Sequence, residues 1–236
     1  MANFSIEIGS TLSTGWEYAK KYGLLVAVIY LLIDVVSGGM QSLLGTSVPP
    51  DVYQNLGEAI GRGDWDTVAQ YSQLLNGGVG SSISTIFVVL IGIVVSVALY
   101  NLALGLMSGQ FSEVTFDAFK LPAATYLKVV AVEIIVGIIA GFSMLFCIVP
   151  FFFVMPRLIM AAPYQIEHPE AGIIESIKAS WNMTSGNTLS LLGLGITIVG
   201  IVILGICCCC VGVYFAQAIE LFTLIAAYNQ LKANLY

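Results

Sequence analysis

Four ionisable side chains lie within long apolar runs of the sequence: Asp34, Glu133, Arg157 and Glu220. A charge near the bilayer centre costs about 2.5 to 3.5 kcal/mol on insertion scales, so such residues face the bundle interior and find partners. At about 1.5 Å per residue, Asp34, Arg157 and Glu220 are expected roughly 10 to 15 Å below the outer membrane surface, and Glu133 about 10 Å from the inner one. We therefore predict that Arg157 pairs with Glu220, with Asp34 as a second acceptor and Glu133 apart from this intramembrane cluster.

Two kinds of chemistry fit such a cluster. Two acids and one base leave a surplus carboxylate that could titrate, which is the requirement for a proton or ion relay. Alternatively, the same groups only join helices through polar contacts. We favour the structural role because a carrier usually shows broken helices or a longer polar trail. The sequence contains no H-E-x-x-H or G-x-S-x-G motif, and we predict that the protein is not an enzyme.

The cysteines form the second unusual group, with four consecutive residues from Cys207 to Cys210 and Cys147 expected at the same outer level. Consecutive helical residues point about 100° apart, so four neighbours cannot converge on one ion. We predict no metal site and no cofactor. A disulfide between Cys147 and Cys210 is one hypothesis if that face is oxidising. Packing of small apolar side chains at a tight turn is the favoured one.

Composition indicates what surrounds these residues. The 236 residues are 58% apolar and only 9% charged, whereas a soluble domain carries about 25% charged residues. Several apolar runs exceed the roughly 18 residues that indicate a membrane span. We therefore expect membrane lipids as partners. The net charge of −6 argues against a nucleic-acid partner, because neutralising phosphates takes clustered Lys and Arg.

The apolar runs predict an all-α fold: a polytopic membrane helical bundle of six transmembrane helices in three hairpins, forming a single domain over residues 1–236. The first run begins near Gly23, follows two glutamates and contains Asp34, so we interpret it as a retained span and not as a signal peptide. The predicted spans are 22–44, 83–106, 126–148, 151–164, 189–208 and 213–231.

The distribution of basic residues gives the predicted orientation. Short cytoplasmic loops are enriched in Lys and Arg. With six spans and a cytoplasmic N-terminus, only Arg62 lies clearly outside, and six lysines lie at the inner side: Lys20, Lys21, Lys120, Lys128, Lys178 and Lys232. We predict a multi-pass protein of the plasma (inner) membrane with both termini cytoplasmic.

Three inner segments are predicted to be interfacial amphipathic helices: 4–20, 111–121 and 170–184. The third has Ile173, Ile177 and Trp181 at helical spacing, with Pro169 to start it and Gly186 to end it. Trp181 and Trp16 are predicted interfacial anchors. The alternative is that these are cytosolic helices packed on the loops.

The outer loop, 45–80, is predicted to hold two short helices, 51–60 and 65–76. Asp51 and Asp64 are N-cap types, and Gly61 and Gly77 are candidate stops. A loop that lies on the bilayer is favoured over a docking site for a partner.

Glycines within the spans predict close helix contacts, because small residues let backbones approach in membranes. Gly137 and Gly141 follow Glu133 at four-residue spacing, and Gly205 is the last of several glycines in the fifth span.

The second half of the chain carries a motif. Met155, Pro156 and Arg157 precede Ser180, Trp181, Thr184, Gly186 and Asn187, which read S-W-x-x-T-x-G-N and lead into an apolar hairpin. This pattern resembles a widespread group of bacterial six-span integral membrane proteins that are similar to the membrane domain of some glycerophosphoryl diester phosphodiesterases. The resemblance covers the chain from about Leu106 onward. It implies architecture and no activity, because the soluble catalytic barrel of those phosphodiesterases has no counterpart here.

Taken together, these observations predict a non-catalytic membrane protein that acts as an accessory, assembly or lipid-facing subunit of a membrane complex. Its expected partners are lipids and other membrane subunits or a second copy of itself. The alternative is a transporter or channel for a small solute or ion that uses Asp34, Arg157 and Glu220.

Overall fold

The computed structural model describes residues 6–44, 50–75, 79–114, 120–146, 148–207 and 210–232. Helices account for nearly all of these residues, and no strand occurs among them, which confirms the predicted all-α class. The helices are α1 Ile8–Leu44, α2 Pro50–Arg62, α3 Trp65–Leu75, α4 Val79–Met107, α5 Ala123–Phe146, α6 Ile148–Leu158, α7 Ala161–Glu167, α8 Ile173–Met183, α9 Thr188–Cys207 and α10 Cys210–Leu231.

Four helices in the described residues are long and apolar enough to cross a membrane. They are Ile8–Gly39 in α1, Ile86–Met107 in α4, Ala123–Leu145 in α5 and Thr188–Cys207, which is α9. A helix of about 20 residues is about 30 Å long, the thickness of the hydrocarbon layer. These four helices carry the first, second, third and fifth predicted spans. The fourth predicted span falls on the short helices α6 and α7, and the sixth falls on α10.

These four helices expose large apolar side chains along their lengths. Leu24 in α1 is 78% exposed, Leu145 in α5 is 83% exposed and Leu204 in α9 is 65% exposed. In water this much exposed apolar surface would drive association, whereas lipid tails solvate it. The four helices are therefore compatible with a membrane protein.

The chain forms two compact units. The first combines residues Met1–Tyr30 with Ile93–Tyr236, and the second is Leu31–Gly92. In the second unit, α2 ends in a turn at Gly63, whose φ of 70° favours glycine. Asp64 caps α3 by accepting the Thr67 N–H at 3.2 Å. Both predicted loop helices are confirmed, but Gly61 does not stop the first, because the helix continues to Arg62.

Helix α10 forms the centre of the first unit, where every residue from Leu221 to Tyr228 is buried. On one side Phe222 joins a cluster with Val26 of α1 and Leu99 of α4. On another side Tyr228 packs with Leu191 of α9 and Met183 of α8. A third cluster joins α4, α5 and α7 through Val97, Val129 and Ile166.

Two close helix crossings depend on glycine. A Cβ at Gly15 of α1 would lie 2.2 Å from Oγ1 and 2.8 Å from Cα of Thr223 in α10. A Cβ at Gly205 of α9 would lie 2.7 Å from the carbonyl oxygen of Gly212 in α10. The contact predicted for Gly205 is therefore confirmed.

The prediction for two other glycines is wrong. A Cβ at Gly137 or Gly141 would meet nothing within 4 Å. Four-residue spacing shows only that two glycines share a helix face, and here that face has no neighbour at this distance.

The structure corrects one of the three predicted interfacial helices and describes only the ends of another. Residues 8–20 are not a separate helix, because α1 continues without a break from Ile8 to Leu44. In the segment 111–121, the described residues 111–114 and 120–121 are not helical, and 115–119 lie outside the described residues. The third segment is helical as predicted and forms α8, which begins at Ile173 after Gly172 and not at Pro169. Its interfacial position stays a prediction.

Candidate functional site

The most connected polar site of the first unit is centred on Arg157, at the C-terminal end of α6. The last carbonyl groups of a helix have no partner within the helix. The Arg157 carbonyl oxygen instead accepts a hydrogen bond from Ser180 Oγ at 2.7 Å. Thr184 Oγ1 lies 3.4 Å from the same carbonyl and donates to the Ser180 carbonyl at 2.7 Å. The Ser180 hydroxyl of α8 thus satisfies one of the last carbonyl groups of α6.

The Arg157 side chain has two further neighbours. Its Nε donates to Thr188 Oγ1 at 3.2 Å. Its guanidinium carbon lies 4.6 Å from the centre of the Trp181 ring, within cation–π distance. The arginine is half-buried, and Trp181 is 40% exposed. The site therefore holds the guanidinium between an aromatic face and a hydroxyl at the edge of the bundle.

Helix α8 presents its small polar face to this site. Ser176 and Ser180 are buried, whereas Ile174 is 67% exposed. Ser176 Oγ donates to Gln165 Oε1 at 2.9 Å, and Gln165 Nε2 donates to the Ala171 carbonyl at 3.1 Å. This buried network joins α7 to α8 and fixes the direction of α8. The predicted apolar stripe of α8 accordingly lies on its outer face.

The turn after α8 explains the remaining motif residues. Gly186 has φ 84°, a conformation that favours glycine. Asn187 Oδ1 accepts the backbone N–H of Ile6 at 3.1 Å, which ties the N-terminal segment to the turn. Thr188 then begins α9 and meets Arg157. The motif thus acts as a junction between α6, α8, α9 and the N-terminal segment.

A second junction surrounds Glu167, the last residue of α7. Lys232 Nζ donates to its Oε1 at 2.8 Å, and the Tyr228 hydroxyl donates to its Oε2 at 2.5 Å. Partial burial raises the pKa of Glu167, but the hydrogen bonds from Lys232 and Tyr228 outweigh burial, so the pKa lies below the usual glutamate value. This carboxylate ties α7 to the end of α10.

The predicted pairing of Arg157 with Glu220 is wrong. In the described part of the chain, Arg157 forms no ion pair, and its side chain is held by Thr188 and Trp181. Glu220 is exposed on α10. Asp34 is an exposed residue of the second unit. The prediction assumed one straight span over 151–164, whereas the helix is interrupted between Leu158 and Ala161.

Glu133 has the partner that the sequence did not identify. Ser96 Oγ of α4 lies 3.0 Å from each carboxylate oxygen of Glu133 in α5. The position of Ser96 within an apolar run could have indicated this contact, because serine side chains in such runs form hydrogen bonds to neighbouring helices.

Trp16 borders an apolar groove between α1, α9 and α10. The side chain is 45% exposed and packs edge-on against Phe215 with ring centres 5.9 Å apart. The groove encloses about 330 Å³ and is lined by Gly9, Leu12, Ser13, Trp16, Ile201 and Ile219.

The cysteine predictions fall mostly outside the description. Cys147 lies outside the described residues, and so does the side chain of Cys210, so the disulfide remains a hypothesis. Cys207 is an exposed free thiol. The described residues contain no group of three or more His, Cys, Asp and Glu side chains that could hold a metal ion.

Comparison of the chain with family models, with curated proteins and with solved structures finds no match. The resemblance to the phosphodiesterase membrane domain therefore stays a prediction.

Proposed function

We propose that this protein is a non-catalytic, six-span protein of the plasma (inner) membrane that acts as an accessory or lipid-facing subunit, with both termini cytoplasmic. The observation that supports the proposal is that buried polar side chains of the first unit bond to neighbouring helices. Ser180, Ser176 and Gln165 are buried and bonded to backbone or side-chain atoms of neighbouring elements. Such bonds join helices and leave the large apolar side chains facing outward.

Contacts at one end of the bundle support α6 and α7 as the fourth crossing. Lys128, near the start of α5, donates to the Pro169 carbonyl at 2.7 Å. Lys232, after α10, bonds to Glu167, and Ile6 bonds to Asn187. The segment 167–187 thus contacts both ends of the chain and the beginning of α5. A chain that had crossed once in α5 must return through α6 and α7 to make these contacts.

Packing along α9 supports α10 as the sixth crossing. The two helices run antiparallel, with Gly205 beside Gly212 at one end and Leu191 beside Tyr228 at the other. With 22 residues, α10 is long enough to match the hydrocarbon layer, which takes about 20 residues. A helix packed along the whole of α9 shares its depth in the membrane.

Cysteine labelling tests this topology. In a chain whose five native cysteines are replaced by serine, we would introduce Ser185→Cys in the α8–α9 turn or Glu113→Cys in the α4–α5 loop. Six spans place both positions on the cytoplasmic side, so an impermeant maleimide should label neither in intact cells and both after lysis. With only the four longest spans, Ser185→Cys alone would be labelled in intact cells, and this result would refute the proposal.

Purification tests the role as a subunit. The tagged chain, extracted in mild detergent, should retain a defined stoichiometry of a second membrane protein or of itself through size-exclusion chromatography. The same chain carrying Trp16→Ala tests whether the partner contacts the apolar groove, because Trp16 borders that groove and is 45% exposed. A wild-type chain that elutes only as a monomer with lipid would count against the subunit role.

The alternative is a transporter for a small solute or ion, and the carboxylate of Glu133, which lies 3.0 Å from Ser96 Oγ between α5 and α4, favours it. A carboxylate between membrane helices could carry protons between the two sides of a membrane. Proteoliposomes containing the wild-type chain should then show pH-dependent flux that Glu133→Gln and Glu220→Gln each reduce. Glu113→Gln, in an exposed loop, is the matched control. No flux above empty liposomes would exclude this alternative.

A further inference from the structure

We propose that Arg157, Trp181 and Thr188 bind the phosphate group of an anionic phospholipid from the inner leaflet. The inference rests on the proposed placement of the chain in the membrane and names the lipid contact of that lipid-facing subunit. It does not depend on whether the protein has protein partners.

The guanidinium of Arg157 carries a positive charge. Among the described residues, no carboxylate lies within ion-pair distance, and only Nε of the guanidinium has a hydrogen-bond partner. Thr188 and Trp181 are both neutral, so the positive charge is uncompensated. A half-buried cation beside apolar surface is costly unless an anion accompanies it.

Other basic side chains of this unit are placed differently. Lys232 pairs with Glu167 at 2.8 Å, and Lys128 donates to two backbone carbonyls. Lys178 is exposed on the outer face of α8, where water or headgroups can solvate it. Arg157 thus combines partial burial with free donors on both terminal nitrogens within the described residues. Guanidinium groups bind phosphate through two parallel N–H donors, so this geometry suits a phosphate.

Under the proposed topology, the Arg157 side chain lies at the edge of the hydrocarbon layer. Helix α9 begins at Thr188 and has 20 residues, which correspond to about 30 Å, so its first residue lies at one edge of the hydrocarbon layer. Tryptophan is enriched at that level. Arg157 contacts both Thr188 and Trp181, and its terminal nitrogens therefore lie where lipid phosphates lie. The partial positive charge at the N-terminus of α9 adds to the attraction for an anion.

Exposed apolar side chains around Arg157 distinguish a lipid from a soluble phosphate compound. The residues around the site expose apolar surface: Ile174 is 67% exposed, Leu189 is 74% exposed and Trp181 is 40% exposed. An acyl chain attached to the phosphate would cover this surface, whereas a soluble phosphate would leave it bare. The surroundings of the site therefore favour a phospholipid.

Native mass spectrometry of the full chain in mild detergent tests the proposal directly. Titration with phosphatidylglycerol should give a saturable first binding event, and phosphatidylcholine, whose choline offsets the phosphate charge, should bind more weakly. Arg157→Gln should weaken the first phosphatidylglycerol binding event about tenfold or more, as expected for a lost charge-assisted bond. Lys178→Gln removes the same charge from the same face and should leave that affinity within about twofold, since a solvated surface charge contributes little.

Equal losses in Arg157→Gln and Lys178→Gln, or no loss in either, would overturn the proposal. Displacement of the lipid by an equal concentration of free glycerol phosphate would assign the site to a soluble anion instead. If Arg157→Gln does not fold, a chain with Trp16→Phe and Trp65→Phe leaves Trp181 as the only tryptophan, since the sequence has three. Brominated phosphatidylglycerol should then quench Trp181 fluorescence more than brominated phosphatidylcholine, and equal quenching would refute the selectivity.

Failure of the lipid proposal can be told apart from failure of the proposed function. The lipid titration uses the isolated chain and reports on Arg157 alone. The topology and purification experiments use intact cells and extracts, and they do not depend on Arg157. A monomeric six-span protein that still loses phosphatidylglycerol binding in Arg157→Gln would refute the subunit role only.

Discussion

The Nε of Arg157 donates a hydrogen bond to Oγ1 of Thr188 at 3.2 Å, which joins the end of α6 to the first residue of α9. This contact places an arginine, expected within a membrane span from its sequence position, beside the first residue of an apolar helix. The guanidinium therefore contacts Thr188 and Trp181 and does not pair with an acid on α10.

Charge exchange between Arg157 and Glu220 should not restore a damaged protein. Arg157→Glu removes the hydrogen bond to Thr188 and the stacking on Trp181, each worth about 1 kcal/mol, so the melting temperature should fall. Because Glu220 has no contact with Arg157, the double variant Arg157→Glu/Glu220→Arg should be no more stable than Arg157→Glu. Thermal unfolding in detergent measures this, and a clear rescue would contradict the structure.

Gly15→Ala should destabilise the crossing of α1 and α10. The added Cβ would lie 2.8 Å from the Thr223 backbone, so the helices must separate, at a cost of about 1 to 3 kcal/mol. Gly9→Ala on the same helix meets nothing within 4 Å and is the matched control. Thermal unfolding should show a loss for Gly15→Ala and no loss for Gly9→Ala. Equal behaviour of the two variants would argue against this crossing.

Acid should weaken the junction of α7 and α10. The pKa of Glu167 in the folded protein lies below the ordinary value of 4.5, so its contribution is fully present above pH 4.5 and is lost as the pH falls through the lowered folded pKa. The effect should be less than about 1 kcal/mol, because the Glu167 and Lys232 side chains are 34% and 36% exposed. Melting curves from pH 6 to about pH 3 should show a shallower acid loss for Glu167→Gln than for wild type. The nearby exposed Glu170→Gln should leave the profile unchanged.

The Ser96–Glu133 contact should couple α4 to α5. Ser96→Ala and Glu133→Ala should be non-additive by about 0.6 kcal/mol, the average for polar contacts between transmembrane helices. Ser143→Ala is the control, because the Ser143 hydroxyl donates to Ile139 of its own helix at 2.7 Å. A double-mutant cycle in detergent measures the coupling. Full additivity would mean that the 3.0 Å contacts contribute nothing to stability.

Local signals predicted the helices well. Apolar runs of membrane-spanning length locate α1, α4, α5 and α9, because the apolar length that a helix needs is a property of a continuous segment. The cap residue Asp64 located the start of α3, because it accepts the N–H of Thr67 three residues later in the chain. Both bounds of α2 lie outside the residues predicted to cap and stop it. The segment 8–20 was misjudged because an amphipathic pattern does not say whether a helix ends or continues into the next span.

The sequence by itself determined that this chain is helical, that several of its helices are long and apolar enough to cross a membrane, and which few ionisable residues lie in or beside them. Only the tertiary structure decided which partners these are. Arg157 and Glu220 looked complementary because depth was counted along ideal straight helices, and the interruption between Leu158 and Ala161 invalidates that count. Ser180 of α8 reaches the Arg157 carbonyl because the buried Gln165 network fixes the direction of α8. Contacts between residues distant in sequence depend on where helices end and how they cross. A hydropathy profile predicts neither.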